Sequence, residues 1–339
     1  MRRSIGLILT LLLCSAGAAQ ASTISINAGA GLAANPAALA AFNRAADTLE
    51  ALFSDPVVIS INANLAVLGA GIIGSTNSTL LAGGFDLVRN AVVADGADEP
   101  DDTIVASLPT AAQFLGLVPA GGGLNGNIVL SQANAKALGF AVGAGPDATI
   151  IFSSAFAFDY DNSDGVGAGL VDFETVALHE LVHALGFFSA VDLQDDVAPF
   201  ANWVATLDLF RFRTSTLPTT AAEFTSFARV LAPGVASSFS DLTNTWAMST
   251  GLVQGDGRQA SHWKDDALTG IHIGVMDPTI ANGVFFGMTA ADIRALDLIG
   301  WDFVVATPAA VPEPASLILV GSGLVAVVRR RQGRRHSTN

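Results

Sequence analysis

The sequence predicts an α+β fold, and three observations predict it. Helical periodicity recurs in well-separated segments, at 36–53, 172–186 and 289–300. Alternating or β-branched runs at 57–65, 148–158 and 207–212 read as strands. The stretch from Ser237 to Asp256 is rich in Ser, Thr and Gly and suits hairpins better than helix. We read an N-terminal lobe (22–186) with a twisted sheet and two main helices, and a C-terminal lobe (187–305) poorer in helix that ends in a final helix.

Residues 1–21 read as an export signal. Arg2 and Arg3 precede the apolar run Ile5–Leu13, and Ala19-Gln20-Ala21 offers a cleavage site. The run is short for a membrane span. The single cysteine, Cys14, lies in this segment, so the exported chain is expected to have no disulfide and to rely on its core. Leu39, Phe42, Ala46, Leu49 and Phe53 share one face of a predicted helix over Pro36–Phe53. Val57–Leu65 predicts a strand, Gly69–Ser78 a loop, and Asp95–Asp102 a solvated acidic turn. Ser131 is expected to cap a short helix that Gly139 ends. Ala148–Phe158 predicts a strand, expected to form the upper rim of a cleft.

The loop Asp159–Gly169 collects oxygen donors, and Asp159, Asp161, Asn162 and Asp164 raise a calcium site as an option beside a plain solvated turn. Its glycine, Gly165, falls one place late for an EF-hand. In the C-terminal lobe, Leu207–Phe212 predicts a strand. Thr289 and Asp292 form a plausible capping box before a helix that closes at Gly300. Residues 308–314 are a linker, and 306–339 form a tail.

The segment Asp172–Gly186 carries the chemistry. Asp172 is a good N-cap and Gly186 a good C′ residue. From Val176 to Leu185 every residue is apolar except His179, Glu180 and His183. A helix apolar nearly all round is buried, so its ionisable side chains need partners. Residues four apart stand on one helix face. His179 and His183 can therefore aim two imidazoles at one zinc ion, while Glu180, one step round, reaches a zinc-activated water as general base. A third ligand is required. His262 and His272 are the remaining histidines outside the tail, which holds His336; Asp192, Asp195 and Asp196 are carboxylate alternatives.

The motif continues to Gly186, three residues past His183, and thus resembles the H-E-x-x-H-x-x-G signature of the metzincin peptidases. Their compact form places a ligand where this chain has Ser189, a poor zinc ligand. His262, then Met276 in Gly274-Val275-Met276-Asp277-Pro278, then a final helix, follow in the order of the leishmanolysin-like metzincins, in which a long insertion precedes the third histidine. The resemblance implies a metzincin-like fold, His179, His183 and His262 as zinc ligands, Glu180 as general base and Met276 as the Met-turn beneath the metal. It departs from that family in lacking the disulfides and the propeptide cysteine that keep its members latent.

The tail has its own signature. Val311-Pro312-Glu313-Pro314, the apolar stretch Ala315–Val328 and an arginine cluster from Arg329 to Arg335 resemble the PEP-CTERM sorting signal of Gram-negative bacteria. That implies export, transient membrane association through the tail, and delivery to the cell surface or exopolysaccharide matrix. With both ends removed, nine Lys+Arg face 29 Asp+Glu, a net charge of −20. Such a surface repels nucleic acid. The expected activity is hydrolysis of peptide bonds in extracellular or surface proteins. The competing expectations are a non-catalytic surface or matrix protein that retains the fold, and zinc-dependent hydrolysis of an ester or amide in the matrix.

Overall fold

The computed structural model describes residues 22–97, 99–120, 122–195 and 202–304; the export signal, Asp196, the linker, the tail and His336 lie outside the described residues. In chain order the first elements are β1 (Thr23–Ala28), α1 (Ala30–Ala33), α2 (Pro36–Glu50), β2 (Val58–Ala66), β3 (Gly74–Ser78), β4 (Leu80–Gly84) and α3 (Phe85–Asp95). Then come β5 (Gly116–Leu117), β6 (Leu124–Ser131), α4 (Gln132–Ala137), β7 (Ala148–Ser153), β8 (Phe158–Asp159), β9 (Val171–Asp172) and α5 (Phe173–Leu185). The remainder comprises α6 (Asp192–Asp195), β10 (Asn202–Ala205), β11 (Arg211–Arg213), α7 (Ala221–Ser226), β12 (Arg229–Val230), β13 (Ser237–Ser240), β14 (Thr245–Met248), α8 (Asp266–Thr269) and α9 (Ala290–Asp297).

The mixed α+β class is as predicted. Asn35 caps α2 through its side chain, with Pro36 at the first helical position. The apolar face of that helix, Ala38, Phe42, Ala45 and Leu49, is fully buried. Ile59, Ile61 and Ala63 of β2 alternate inward. The first sheet has the order β1-β2-β7-β3, parallel except for β3, which runs antiparallel along β7. Phe152 of β7 joins helix and sheet: its ring meets Phe42 of α2 at 5.1 Å and Phe173 of α5 at 4.6 Å. At about 25 cal/mol per Å² of apolar surface, such rings dominate the core energetics. Ser131 caps α4, which closes at Gly139 in the left-handed region (φ 75°). Thr289 and Asp292 form the predicted capping box of α9.

Four expectations need correction. Gly74–Ser78 is a strand and not a loop, because its polar GSTNS sequence takes its conformation from pairing with β7. Ala148–Phe158 is not a rim: its strand ends at Ser153 and lies inside the sheet between β2 and β3, which makes β3 the edge. Only Arg211–Arg213 of the predicted 207–212 strand is extended. Leu207–Phe210 is a 3₁₀ turn that the buried Asp208 carboxylate organises by accepting the Ala205 and Ala190 amides. Strand pairing crosses the lobe boundary at Gly186. Strand β10 pairs with β6, and β12 pairs with β5, across it, and the described residues up to Phe303 form one compact unit.

The Asp95–Asp102 segment is the fourth correction. Asp102 is buried and paired with Arg294 of α9, which also holds Asp241 at 2.8 Å and Asp297 at 2.5 Å. One guanidinium serves this crowd of carboxylates. Burial, with neighbouring like charges, pushes Glu99 and Asp297 up to about 8, and Asp55 and Asp95 up to about 7. Each folded-state value lies above its unfolded one, so the folded chain binds more protons and loses stability as pH rises through these values. Between about pH 7.5 and 9, where free histidine is largely neutral, the melting temperature is expected to fall and then level off. Scanning calorimetry across that range checks this, and Asp297→Asn should flatten the slope.

No helix among the described residues is long and apolar enough to cross a membrane.

Candidate metal centre

Helix α5 is fixed at both ends by local chemistry. The Asp172 carboxylate accepts the Thr175 amide at 2.6 Å. Gly186 adopts φ 117°, which an L side chain rarely tolerates. Between them Phe173, Val176, Leu178, Leu181, Val182 and Leu185 are buried on all sides. The helix therefore has little freedom to rotate, and one turn of it presents His179 and His183 to a cleft of about 850 Å³.

The third imidazole comes from a strap at 258–263. His262 Nε2 lies 3.1 Å from His179 Nε2 and 3.2 Å from His183 Nε2. Each ring has a carbonyl at its other nitrogen. His179 Nδ1 donates to Val275 at 2.8 Å, His183 Nδ1 to Phe187 at 2.8 Å, and His262 Nδ1 to Gln259 at 3.2 Å. Those bonds put the protons on Nδ1 and leave three Nε2 lone pairs converging on one point. Burial drives all three pKa values down, His183 to about 3, and holds the rings neutral. Three lone pairs this close repel one another. A tetrahedral ion with nitrogens at 2.0–2.1 Å would separate them by about 3.3 Å. The donor set and its carbonyl-braced outer shell therefore fit zinc.

Glu180 is not part of that trio, although it is buried at the cleft wall. Its carboxylate turns to the edge strand, where the Thr76 hydroxyl lies 2.6 Å from Oε2. Beside it Gly74 has no room for a side chain: a Cβ there would sit 2.4 Å from Glu180 Oε1. Burial raises the Glu180 carboxyl to about 7, against the lowering pull of Thr76. Strand β3 thus positions the carboxylate. A loop prediction for 69–78 had no means of finding it.

The carboxylate alternatives to His262 have other partners. Asp192 accepts the amides of Ala260 and Ser261 and the Ser261 hydroxyl, so it braces the strap that carries His262. Asp195 accepts the Val253 and Gln254 amides. Ser189 donates its amide proton to Ser261 Oγ at 2.9 Å and its hydroxyl proton to Asp208 at 2.6 Å. His272 lines the same cleft but is outside the trio's donor set, and it stacks on Phe286 with centroids 3.7 Å apart. Met276 is fully buried in a turn closed by Asp277 N–H donating to Gly274 C=O at 3.0 Å, and the carbonyl before it orients His179. In the 159–165 loop, Asp159 accepts the amides of Asp161 and Gly167, and Asp161 that of Ser163.

The structure adds a hub absent from the predicted site. Asp292 of α9 is buried and accepts Trp263 Nε1–H at 2.8 Å, Val275 N–H at 2.8 Å and Thr289 N–H at 2.8 Å. It ties the final helix to the Met276 turn and to the residue after His262. Its role as a cap was readable; its reach to Trp263 was not.

Residues 310–335 match the PEP-CTERM protein-sorting motif. With the PEP-CTERM tail the chain carries the mark of an exported protein sorted to the surface of Gram-negative bacteria. No curated protein and no solved structure matches the chain.

Proposed function

We propose that this chain is a zinc-dependent endopeptidase of metzincin-like architecture, acting on extracellular or surface proteins. The observation that carries the reading is the convergence of three neutral imidazoles, with His262 Nε2 3.1 and 3.2 Å from the Nε2 atoms of His179 and His183, beside a buried carboxylate that is not one of them. The order of helix, third histidine, Met276 turn and final helix supports the metzincin reading.

His179, His183 and His262 would hold the ion, which supplies a Lewis acid that acidifies water and polarises a carbonyl. Glu180 takes a proton from the attacking water as its oxygen bonds to the scissile carbon. It returns that proton to the amine as the C–N bond breaks. Raised by burial, its carboxyl is matched to both tasks near neutral pH. Edge strand β3 lines the cleft and, among the described residues, pairs only with β7. A substrate backbone can add to its free side as an extra strand.

The test uses the segment from Ser22 to Ala310. It should hold zinc in the trio and cleave an unfolded protein, and His262→Ala should lose most of both. Zinc affinity unchanged in His262→Ala, measured by competition with a chelating dye, removes the third ligand and the reading with it.

A further inference from the structure

His272 lies in a second group of ligand-type side chains. Its Nδ1 is 3.9 Å from Asp266 Oδ2 and 3.8 Å from Asp277 Oδ2, and one ligand atom from each of the three lies within 4.8 Å of the others. These distances are too long for hydrogen bonds. Both His272 ring nitrogens are shielded from solvent and have no hydrogen-bond partner among the described residues. An unpaired buried polar atom costs about 1–3 kcal/mol. The ring face is taken by Phe286, which leaves the ring edge free for an in-plane contact.

The two carboxylates face each other with no arginine or lysine partner among the described residues. Lys264, the nearest cation along the chain, is paired with Asp256, and Arg258 with Asp265. The Asp266 carboxylate makes no hydrogen bond among the described residues, while Asp277 accepts the Asp266 amide on Oδ2 and Thr279 on Oδ1. An oxygen with one such bond keeps a second lone pair. An imidazole nitrogen and two carboxylate oxygens form a donor set for a divalent cation of the zinc type. Ligands of a tetrahedral ion stand about 3.3 Å apart, so each His272–carboxylate pair needs to close by about half an ångström.

We propose that His272, Asp266 and Asp277 form a second divalent-cation site, distinct from the three-histidine centre. Its ligands span the start of α8, the connection to 272 and the turn that holds Met276. A cation there clips both ends of a segment that otherwise leaves Leu268 and Ile271 exposed. Because Asp277 follows the turn whose Val275 carbonyl orients His179, occupancy braces the first centre from behind. The proposal does not depend on peptidase activity.

Zinc alone, titrated into the full chain and followed by calorimetry and by elemental analysis after dialysis, tests it. Two equivalents are expected. His183→Ala should remove one and His272→Ala the other. Asp266→Asn, which alters a half-exposed side chain with no hydrogen bond to lose, should weaken the second equivalent at least roughly tenfold while circular dichroism stays unchanged; it covers the case in which His272→Ala fails to fold. One equivalent that vanishes in His272→Ala and survives in His183→Ala would uphold this site and remove the three-histidine one. Two equivalents retained in His272→Ala, unchanged affinity in Asp266→Asn, or a single equivalent abolished by His183→Ala would overturn it.

Discussion

Glu180→Gln is expected to keep zinc in place and to slow peptide hydrolysis by about 10²–10⁴-fold, the range a positioned general base contributes. The substitution preserves volume, and the amide oxygen can still accept from the Thr76 hydroxyl that now lies 2.6 Å from Oε2. What is lost is the ability to take and return a proton. The loss should fall on kcat, with KM nearly unchanged, because Glu180 faces β3 and is outside the metal's ligand set. Kinetics on an internally quenched peptide, alongside zinc content, separate this outcome from unfolding. A variant with wild-type kcat would strip Glu180 of its role.

The second large effect is on stability. Asp292→Ala leaves three buried donors without that acceptor, the Trp263 indole and the Val275 and Met276 amides, and with them the part-buried Thr289 amide. At about 1–3 kcal/mol for each orphaned group, the cost should reach about 4 kcal/mol or more, in the range that marks a broken buried network. Asn at this position should recover part of the loss, since its one carbonyl can serve Trp263 or the Val275–Thr289 pair but not both. Gly274 completes the fit: a Cβ there would lie 2.4 Å from the Asp292 carboxylate. Denaturant midpoints at constant slope measure the stability change, and zinc retention should fall with it, because the Met276 turn and the His262 strap hang from the same carboxylate.

What the sequence made readable was the chemistry that is local. The helix that carries His179 and His183, its Asp172 cap, its Gly186 stop and the Thr289–Asp292 box are each set within a few turns of chain, and these local elements formed as predicted. His262 entered only through the resemblance, by its order ahead of Met276, and its ring lies against those of His179 and His183. Strand β3 was not readable, because Gly-Ser-Thr-Asn-Ser has no apolar alternation and becomes a strand only against β7. The 207–210 turn defeated alternation because Asp208 caps it from inside. Asp102 looked solvated because its partner, Arg294, lies 192 residues away. Pairings of that range leave no periodic trace.

The separation of the imidazoles also bears on how the chain matures. On the proposed reading, one ion staples two rings that fold with their own helix to a third that arrives 79 residues after His183. Such a staple closes a long loop, and the entropy removed by closing a loop grows with its length. With Cys14 the single cysteine of the sequence, this reversible crosslink would take the place that a disulfide holds in many secreted proteins. A chelator at the cell surface would then act twice, silencing the cleft and loosening the strap, and the chain would become competent only in a compartment where metal is at hand.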